Sequence, residues 1–477
     1  MTENDLCFVS ARDAIAKFRA RQLSPVDLVA ALIARSEAAN PQLTAFTTTH
    51  FERARAQARR AEEKYMRKGA RLRRLEGVPI AIKDLHPIKG EITTFASRIF
   101  AQNRDSVTSP SVARLLNAGA IVLARTATPE FGAATICHSP LWGISRNPWN
   151  TDYSPGGSSG GSGAALAGGM TTLADGSDYG GSIRIPAAAC GIFGYKPPFG
   201  RIPRLAPGNL DTFGHCGPMT RGVRDAALML EIMSGTHPED IMSLPGRTRI
   251  PRHPPEVRGM RIAFSMDLGY FQIDQEVQDN TRSAITTFRD LGCHVEEVEV
   301  GWTSAVLSAF LTRAVAGFSA RIAPYLPRWR FEMSDYVRAV AEEGLNISAA
   351  EIFAAQEFQS EMFQKLSPVL AKFDLMICPT LALPSLPADQ SPLALNVTVN
   401  GKRLLADVQW ALTYPFNMIS QCPVASVPSG FSTSRVPTGV QIVGRPYDDV
   451  SVFRAALAYE AARPWLDRRE TRPTLGA

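Results

Sequence analysis

The sequence predicts a layered α/β fold, and three observations carry that prediction. A helix–glycine–strand order occurs twice, at residues 111–117, Gly119 and 120–124, and again at 281–291, Gly292 and 293–300. A strand-like run at 260–265 precedes the second and completes a βαβ unit. Strand-like runs alternate with helical patterns over most of the chain, with no repeat array and no long linker.

Taken in order, the first 75 residues read as helical. Ser24 is an N-cap, Pro25 takes the first helical position and Asp27 the third, and Leu28, Ala31, Leu32 and Arg35 follow at helical spacing. Residues 52–74 are dense in Arg and Lys, with Glu62 and Glu63 interleaved. Aromatics are sparse there, so a solvated helix is the better reading than a nucleic-acid face. The run Gly77-Val-Pro-Ile-Ala-Ile-Lys-Asp84 reads as a strand. Alternation puts Val78, Ile80 and Ile82 on one face and Pro79, Ala81 and Lys83 on the other. Later strands are predicted at 374–378, 424–427 and 439–443, and a last helix at 452–462.

Composition sets the bounds. The 477 residues are 45% hydrophobic, 20% charged and 8% aromatic, which excludes a disordered, collagen-like or coiled-coil chain. A formal net charge of +6 is a mild bias and names no partner. Seven cysteines lie scattered, the nearest two (Cys190 and Cys216) 26 positions apart, so no zinc spacing exists and no metal is expected. Dispersed cysteines read as free thiols, and Met1 to Leu6 lack an apolar signal core. The expected location is therefore cytoplasmic. The uncharged stretches 153–174 and 408–434 are broken by Gly, Ser and Pro, so no membrane span is expected.

The informative segment is Ser154-Pro-Gly-Gly-Ser-Ser-Gly-Gly-Ser-Gly163, followed by Asp175-Gly-Ser-Asp-Tyr-Gly-Gly-Ser-Ile-Arg-Ile-Pro186. A flexible linker does not fit, because the segment runs directly into the apolar stretch 164–173. A phosphate loop fails because the chain's Gly-Lys pair, Gly401-Lys402, is followed by Arg403. Gly156 to Gly160 matches a nucleophile elbow in form, but no strand leads in. The histidines that follow (His215, His237, His253, His294) lack a context that suggests a triad.

Three distant pieces together resemble the amidase signature family of serine hydrolases. Lys83 stands in Gly-Val-Pro-Ile-Ala-Ile-Lys-Asp, Ser158 in Pro-Gly-Gly-Ser-Ser-Gly-Gly, and Ser182 in Ser-Asp-Tyr-Gly-Gly-Ser-Ile-Arg-Ile-Pro, 24 positions after Ser158. Thr128-Pro-Glu-Phe131, Arg146-Asn-Pro-Trp149, Gly194-Tyr-Lys-Pro197 and Tyr414-Pro-Phe-Asn417 agree, and the likeness runs from about residue 10 to 465.

The resemblance implies a single domain with a central mixed β-sheet flanked by helices on both faces. Within residues 1–477 it implies a helical part (about 10–75), a catalytic core (about 76–225), a variable substrate side (about 226–400) and a core-completing part (about 401–465). It also implies a Ser–cis-Ser–Lys triad in which Ser182 attacks the carbonyl, Ser158 relays its proton and Lys83 receives it. The implied oxyanion donors are the N–H groups of Tyr179, Gly180, Gly181 and Ser182. A free lysine titrates near 10.4, so the role requires burial to hold Lys83 neutral. Asp178 and Arg184 are expected to pair and hold the loop, and Asp84 to cap or orient. Relatives commonly carry Gly-Thr-Asp where this chain has Gly176-Ser177-Asp178, and an Asn where Ala127 stands. Tyr179 is bulky for its place. The expected pocket comprises Ile136, Cys137, His138, Trp142, Ile144, Trp410, Tyr414 and Phe416, an apolar and aromatic set that suggests an aryl or bulky acyl group. The implied activity is hydrolysis of a small-molecule amide without a cofactor. The alternatives are a carbamate or ester hydrolase of the same mechanism, or an amidotransferase A-type subunit that works with partner chains on charged tRNA. A homodimer is a further expectation from the family; nucleic acid is not expected as a partner.

Overall fold

The structure is a computed structural model and describes residues 3–251, 256–404, 407–466 and 469–475. Eleven strands form one sheet: β1 (Phe46–Thr49), β2 (Pro79–Lys83), β3 (Ile121–Thr126), β4 (Leu173–Asp178), β5 (Phe193–Lys196), β6 (His215–Thr220), β7 (Arg261–Phe264), β8 (His294–Glu297), β9 (Leu375–Pro379), β10 (Val424–Phe431) and β11 (Pro437–Gly444). Their spatial order is β1-β3-β2-β4-β6-β5-β10-β11-β9-β7-β8. The sheet is mixed. β2 lies parallel to β3 and β4, and β7 parallel to β8 and β9, while the middle pairs antiparallel.

Alternation along the strands feeds two cores. Ile262, Leu375, Ile377, Ala425 and Val427 enter one cluster, whereas Ala263, Met376, Cys378 and Val424 enter another. Both faces are thus covered, and the buried strands read as continuous apolar runs for that reason. The predicted helix at Ser24 is Pro25–Leu43, with the Ser24 side chain accepting from the Val26 N–H. The βαβ unit is β7, the helix Gln275–Asp290 and β8. The basic stretch lies largely on the helix Phe51–Met66 and the turn after it. Arg53 pairs with Glu91, Lys64 and Arg73 with Glu76, and Arg74 with Glu231.

One expectation needs correction. The N-terminal part is not wholly helical: β1 interrupts it, because the β-branched run Thr47-Thr-Thr49 pairs antiparallel with β3. One helical stretch, Ala305–Trp329, is by length and composition apolar enough to cross a bilayer. Here Phe318, Ile322 and Tyr325 of that stretch wall a cavity.

Candidate active site

β2 delivers Lys83 to the centre of the site. All five residues of the strand are buried, so the lysine is enclosed at a strand end rather than solvated. Its Nζ lies 2.7 Å from Ser158 Oγ, 2.8 Å from Ser159 Oγ and 2.9 Å from Ser177 Oγ. Burial lowers the amine to about 7, against an upward pull from Cys137, Asp175 and Asp178. An amine with that value exchanges protons near neutrality, as a general base must. The Lys83 main-chain N–H donates to Asp175 Oδ1 at 2.8 Å, which pins the end of β2 to β4.

The Gly157–Ser158 peptide bond is cis. Neighbouring backbone crowds this loop. A Cβ on Gly157 would stand 2.9 Å from the Thr135 carbonyl carbon, and one on Gly161 2.3 Å from Ala127 N. Glycine permits that approach. The Ser159 N–H donates to the Ser182 carbonyl at 3.2 Å and ties the two serine segments together.

After β4 the chain turns through residues 179–182 into the helix Arg184–Cys190. The turn's carbonyls are occupied: Gly180 O accepts from Thr413 Oγ1 at 2.6 Å, Gly181 O from Ile185 N at 2.7 Å, and Ser182 O from Ser159. The N–H groups of Tyr179, Gly180, Gly181 and Ser182 meet no acceptor among the described residues. A turn with fixed carbonyls and free donors is suited to hold an oxyanion. Below it, the Asp178 carboxylate receives Arg184 Nε and Nη2 at 3.0 and 2.9 Å.

Ser158 and Ser182 both border a cavity of about 680 Å³. Its wall is mostly apolar and includes six aromatic rings, Phe95, Phe100, Phe131, Tyr179, Phe318 and Tyr325, with Arg204 and Arg321 also on it. Phe100 lies at its hub, its ring centroid 5.3 Å from Phe95, 5.9 Å from Phe131 and 5.4 Å from Tyr325. Tyr179 packs on Phe318 at 5.3 Å, so its bulk shapes the wall beside the free N–H groups.

The structure brings Lys83, Ser158, Ser182 and the turn 179–182 together, but places the eight expected pocket residues elsewhere. Ile136 and Cys137 are buried behind the Gly/Ser loop, where Cys137 Cβ would meet a Cβ on Gly160 at 2.7 Å. The His138 carbonyl accepts from Tyr336 Oη at 2.9 Å, and Ile144 pairs with His138 in a two-residue hairpin. Trp142 Nε1 donates to Thr94 Oγ1 at 3.0 Å. Trp410 is fully buried, with Nε1 on Thr135 Oγ1 at 2.8 Å. Tyr414 and Phe416 are core rings against Phe271 and Trp302. These segments carry apolar side chains for packing, which composition cannot tell from a pocket lining. Asp84 accepts from the Thr94 N–H at 3.0 Å and orients that loop.

His215 does border the cavity, but its ring nitrogens face the carbonyls of Phe213 and Ser420 rather than a serine. His253 lies outside the described residues. Ser177 and Asp175 also join the site, although no motif in the sequence marks them. Their two-residue spacing on β4 puts both on one face, which was the available signal.

The chain matches a family model described as Amidase over residues 27–453. It is 35% identical to an acylamidase of Rhodococcus erythropolis, covering 98% of each chain. It is 33% identical to the glutamyl-tRNA(Gln) amidotransferase A subunit of Chloroflexus aggregans, over 98% of this chain and 99% of that one. Among solved structures, a bacterial aryl acylamidase of the amidase signature family superposes with a TM-score of 0.90 at 30% identity, covering 96% of this chain and 97% of that one.

Proposed function

The chain belongs to the amidase family and is an amide hydrolase, and from that premise we propose that it cleaves aryl or bulky apolar amides through an acyl-enzyme on Ser182. The observation that carries this reading is the 2.7 Å contact of Lys83 Nζ with Ser158 Oγ at the edge of an aromatic cavity that Ser182 shares.

Neutral Lys83 accepts the proton of Ser158 as Ser158 takes that of Ser182, and Ser182 Oγ attacks the amide carbonyl. The oxyanion forms against the N–H groups of residues 179–182, each worth roughly 3–4 kcal/mol of barrier. The proton returns along the same path to the leaving amine, and water then cleaves the ester to acid and free serine. The aromatic wall supports an acyl or amine portion with a ring, as the aryl acylamidase likeness also does. All seven cysteines are unbridged thiols, which supports a reducing, cytoplasmic setting.

The test is product formation from an aryl anilide, an aliphatic primary amide, an aryl carbamate and glutamine, with Ser182→Ala alongside. The anilide is expected to turn over fastest, and the variant to lose about 10⁴-fold or more. Wild-type turnover in Ser182→Ala would refute the mechanism. Turnover of glutamine alone would favour the amidotransferase reading.

A further inference from the structure

The wall of the same cavity carries a nucleophilic pair, Cys216 and His86, that the serine chemistry does not use. Cys216 on β6 is the register partner of Ser177 on β4, and residues directly opposed in an antiparallel pair share a face. Its Sγ lies 3.6 Å from His86 Nε2, and His86 Nδ1 lies 2.5 Å from Asp175 Oδ2. The imidazole therefore has a carboxylate behind it and a thiol in front, the order in which a cysteine nucleophile is activated. Cys216 and His86 both border the cavity, 8% and 6% exposed, while Asp175 is fully buried.

We propose that Cys216 is a covalent modification site, a thiolate paired with His86 that exchanges with small disulfides entering the cavity and closes it to substrate. The thiolate sulfur attacks one sulfur of the disulfide. That S–S bond breaks, a new one forms to Cys216, and the other sulfur leaves as a thiolate with the bonding pair. A small thiol reverses the step by the same exchange.

The local charges agree with the geometry. Burial opposes ionisation of both groups and is the largest single influence at His86, but the charges of Asp175 and Cys216 and the hydrogen bonds to them together outweigh it and lift the imidazole to about 10. At Cys216 burial is again the largest influence, and the His86 cation, its hydrogen bond and the Arg204 charge together overcome it and the opposing Asp175 charge to bring the thiol below its ordinary value. Burial instead pushes Cys137 and Cys293 up to about 11 and Cys378 and Cys422 up to about 12, and raises Cys190 as well.

The test uses the native chain and 5,5′-dithiobis(2-nitrobenzoate), whose coloured thiolate counts each exchange. Colour and peptide mass are the readouts, so the outcome does not depend on the amidase reading. At pH 6, where an ordinary thiol is almost wholly protonated, one equivalent per chain is expected, with the mixed disulfide at Cys216. The rate should follow a titration midpoint below that of free cysteine. His86→Gln should slow release at pH 6 about tenfold. Each protein's turnover, normalised to its own untreated value, should fall in step with release in the unaltered chain, recover with dithiothreitol, and stay constant in Cys216→Ala. No release from the folded chain, a label on another cysteine, or a midpoint at the ordinary thiol value would overturn the proposal. The midpoint decides the matter even where His86→Gln does not fold.

Discussion

Asp178 and Arg184, six positions apart, form a fully buried ion pair beneath the turn that carries Ser182, with Arg184 Nη2 2.9 Å from Oδ1 and Nε 3.0 Å from Oδ2. The same carboxylate accepts the Ile183 N–H at 3.2 Å, and Asn417 Nδ2 donates to it at 2.8 Å. Arg184 spends its other donors on Thr413 O, Gln441 Oε1 and Asn417 Oδ1. The pair therefore joins the turn to the 413–417 segment and to β11, and fixes where the free N–H groups point.

Breaking this pair at one end leaves a buried charge alone. Arg184→Ala is expected to lower the unfolding free energy by about 3–5 kcal/mol, read from denaturant titration. Against burial, Arg184 and Asn417 hold the Asp178 carboxyl well below the usual carboxylate range. The pair's stabilisation is thus complete above the ordinary carboxylate pKa and disappears only as pH falls through the lowered value. Arg184→Ala should consequently unfold at a higher pH on acidification. Equal stability of the two proteins would mean that the pair does not hold the turn.

Gly181 has φ +131°, and a Cβ there would stand 1.9 Å from Thr413 Oγ1, the group that fixes Gly180 O. Gly181→Ala must move the turn. The expected result is a kcat lower by about 10²–10³ for each donor displaced, with KM changed far less. Unchanged kcat in a folded variant would remove the turn from the chemistry.

The aromatic wall makes a prediction about substrate. Phe131→Ala opens the wall beside Phe100 and should lower kcat/KM for an aryl anilide by about tenfold or more, while a small aliphatic amide loses little. Equal losses on both substrates would show that the ring supports the fold rather than the acyl group.

The difference between what the sequence revealed and what it hid has a local cause. Lys83, Ser158 and Ser182 lie in short motifs whose glycines and strand parity mark them, and the helix at Ser24 announces itself through its cap. The cavity wall leaves no such mark. Phe95 and Phe131 reach it from positive-φ backbone (φ 50° and 54°), outside any periodic pattern. Phe318 and Tyr325 come from Ala305–Trp329, whose apolar run reads equally well as core. Strands β5 and β6 hide for another reason. Phe193–Lys196 and His215–Thr220 hold Gly, Pro and polar residues, and pairing with neighbours decides their state rather than propensity.

The last prediction concerns the proton that Lys83 does not carry. Burial lowers its amine from about 10.5 to about 7, so the neutral form that the proposed mechanism requires is lost as pH falls through 7. The acid limb of kcat/KM should have its midpoint there. The same shift acts on stability with a definite sign. Between pH 7 and 10.5 the unfolded chain binds a proton at this site that the folded chain does not, so stability must rise with pH by about 1.4 kcal/mol per unit. Lys196 is also fully buried and lowered to about 7, with its amine on the Cys422 carbonyl at 2.8 Å, and contributes the same slope. Lys83→Met should therefore abolish turnover at every pH and halve the combined slope of these two lysines in that window, measured by denaturant titrations at a series of pH values. A slope untouched by the substitution would mean that Lys83 is protonated in the folded chain, and a protonated lysine cannot serve as the base.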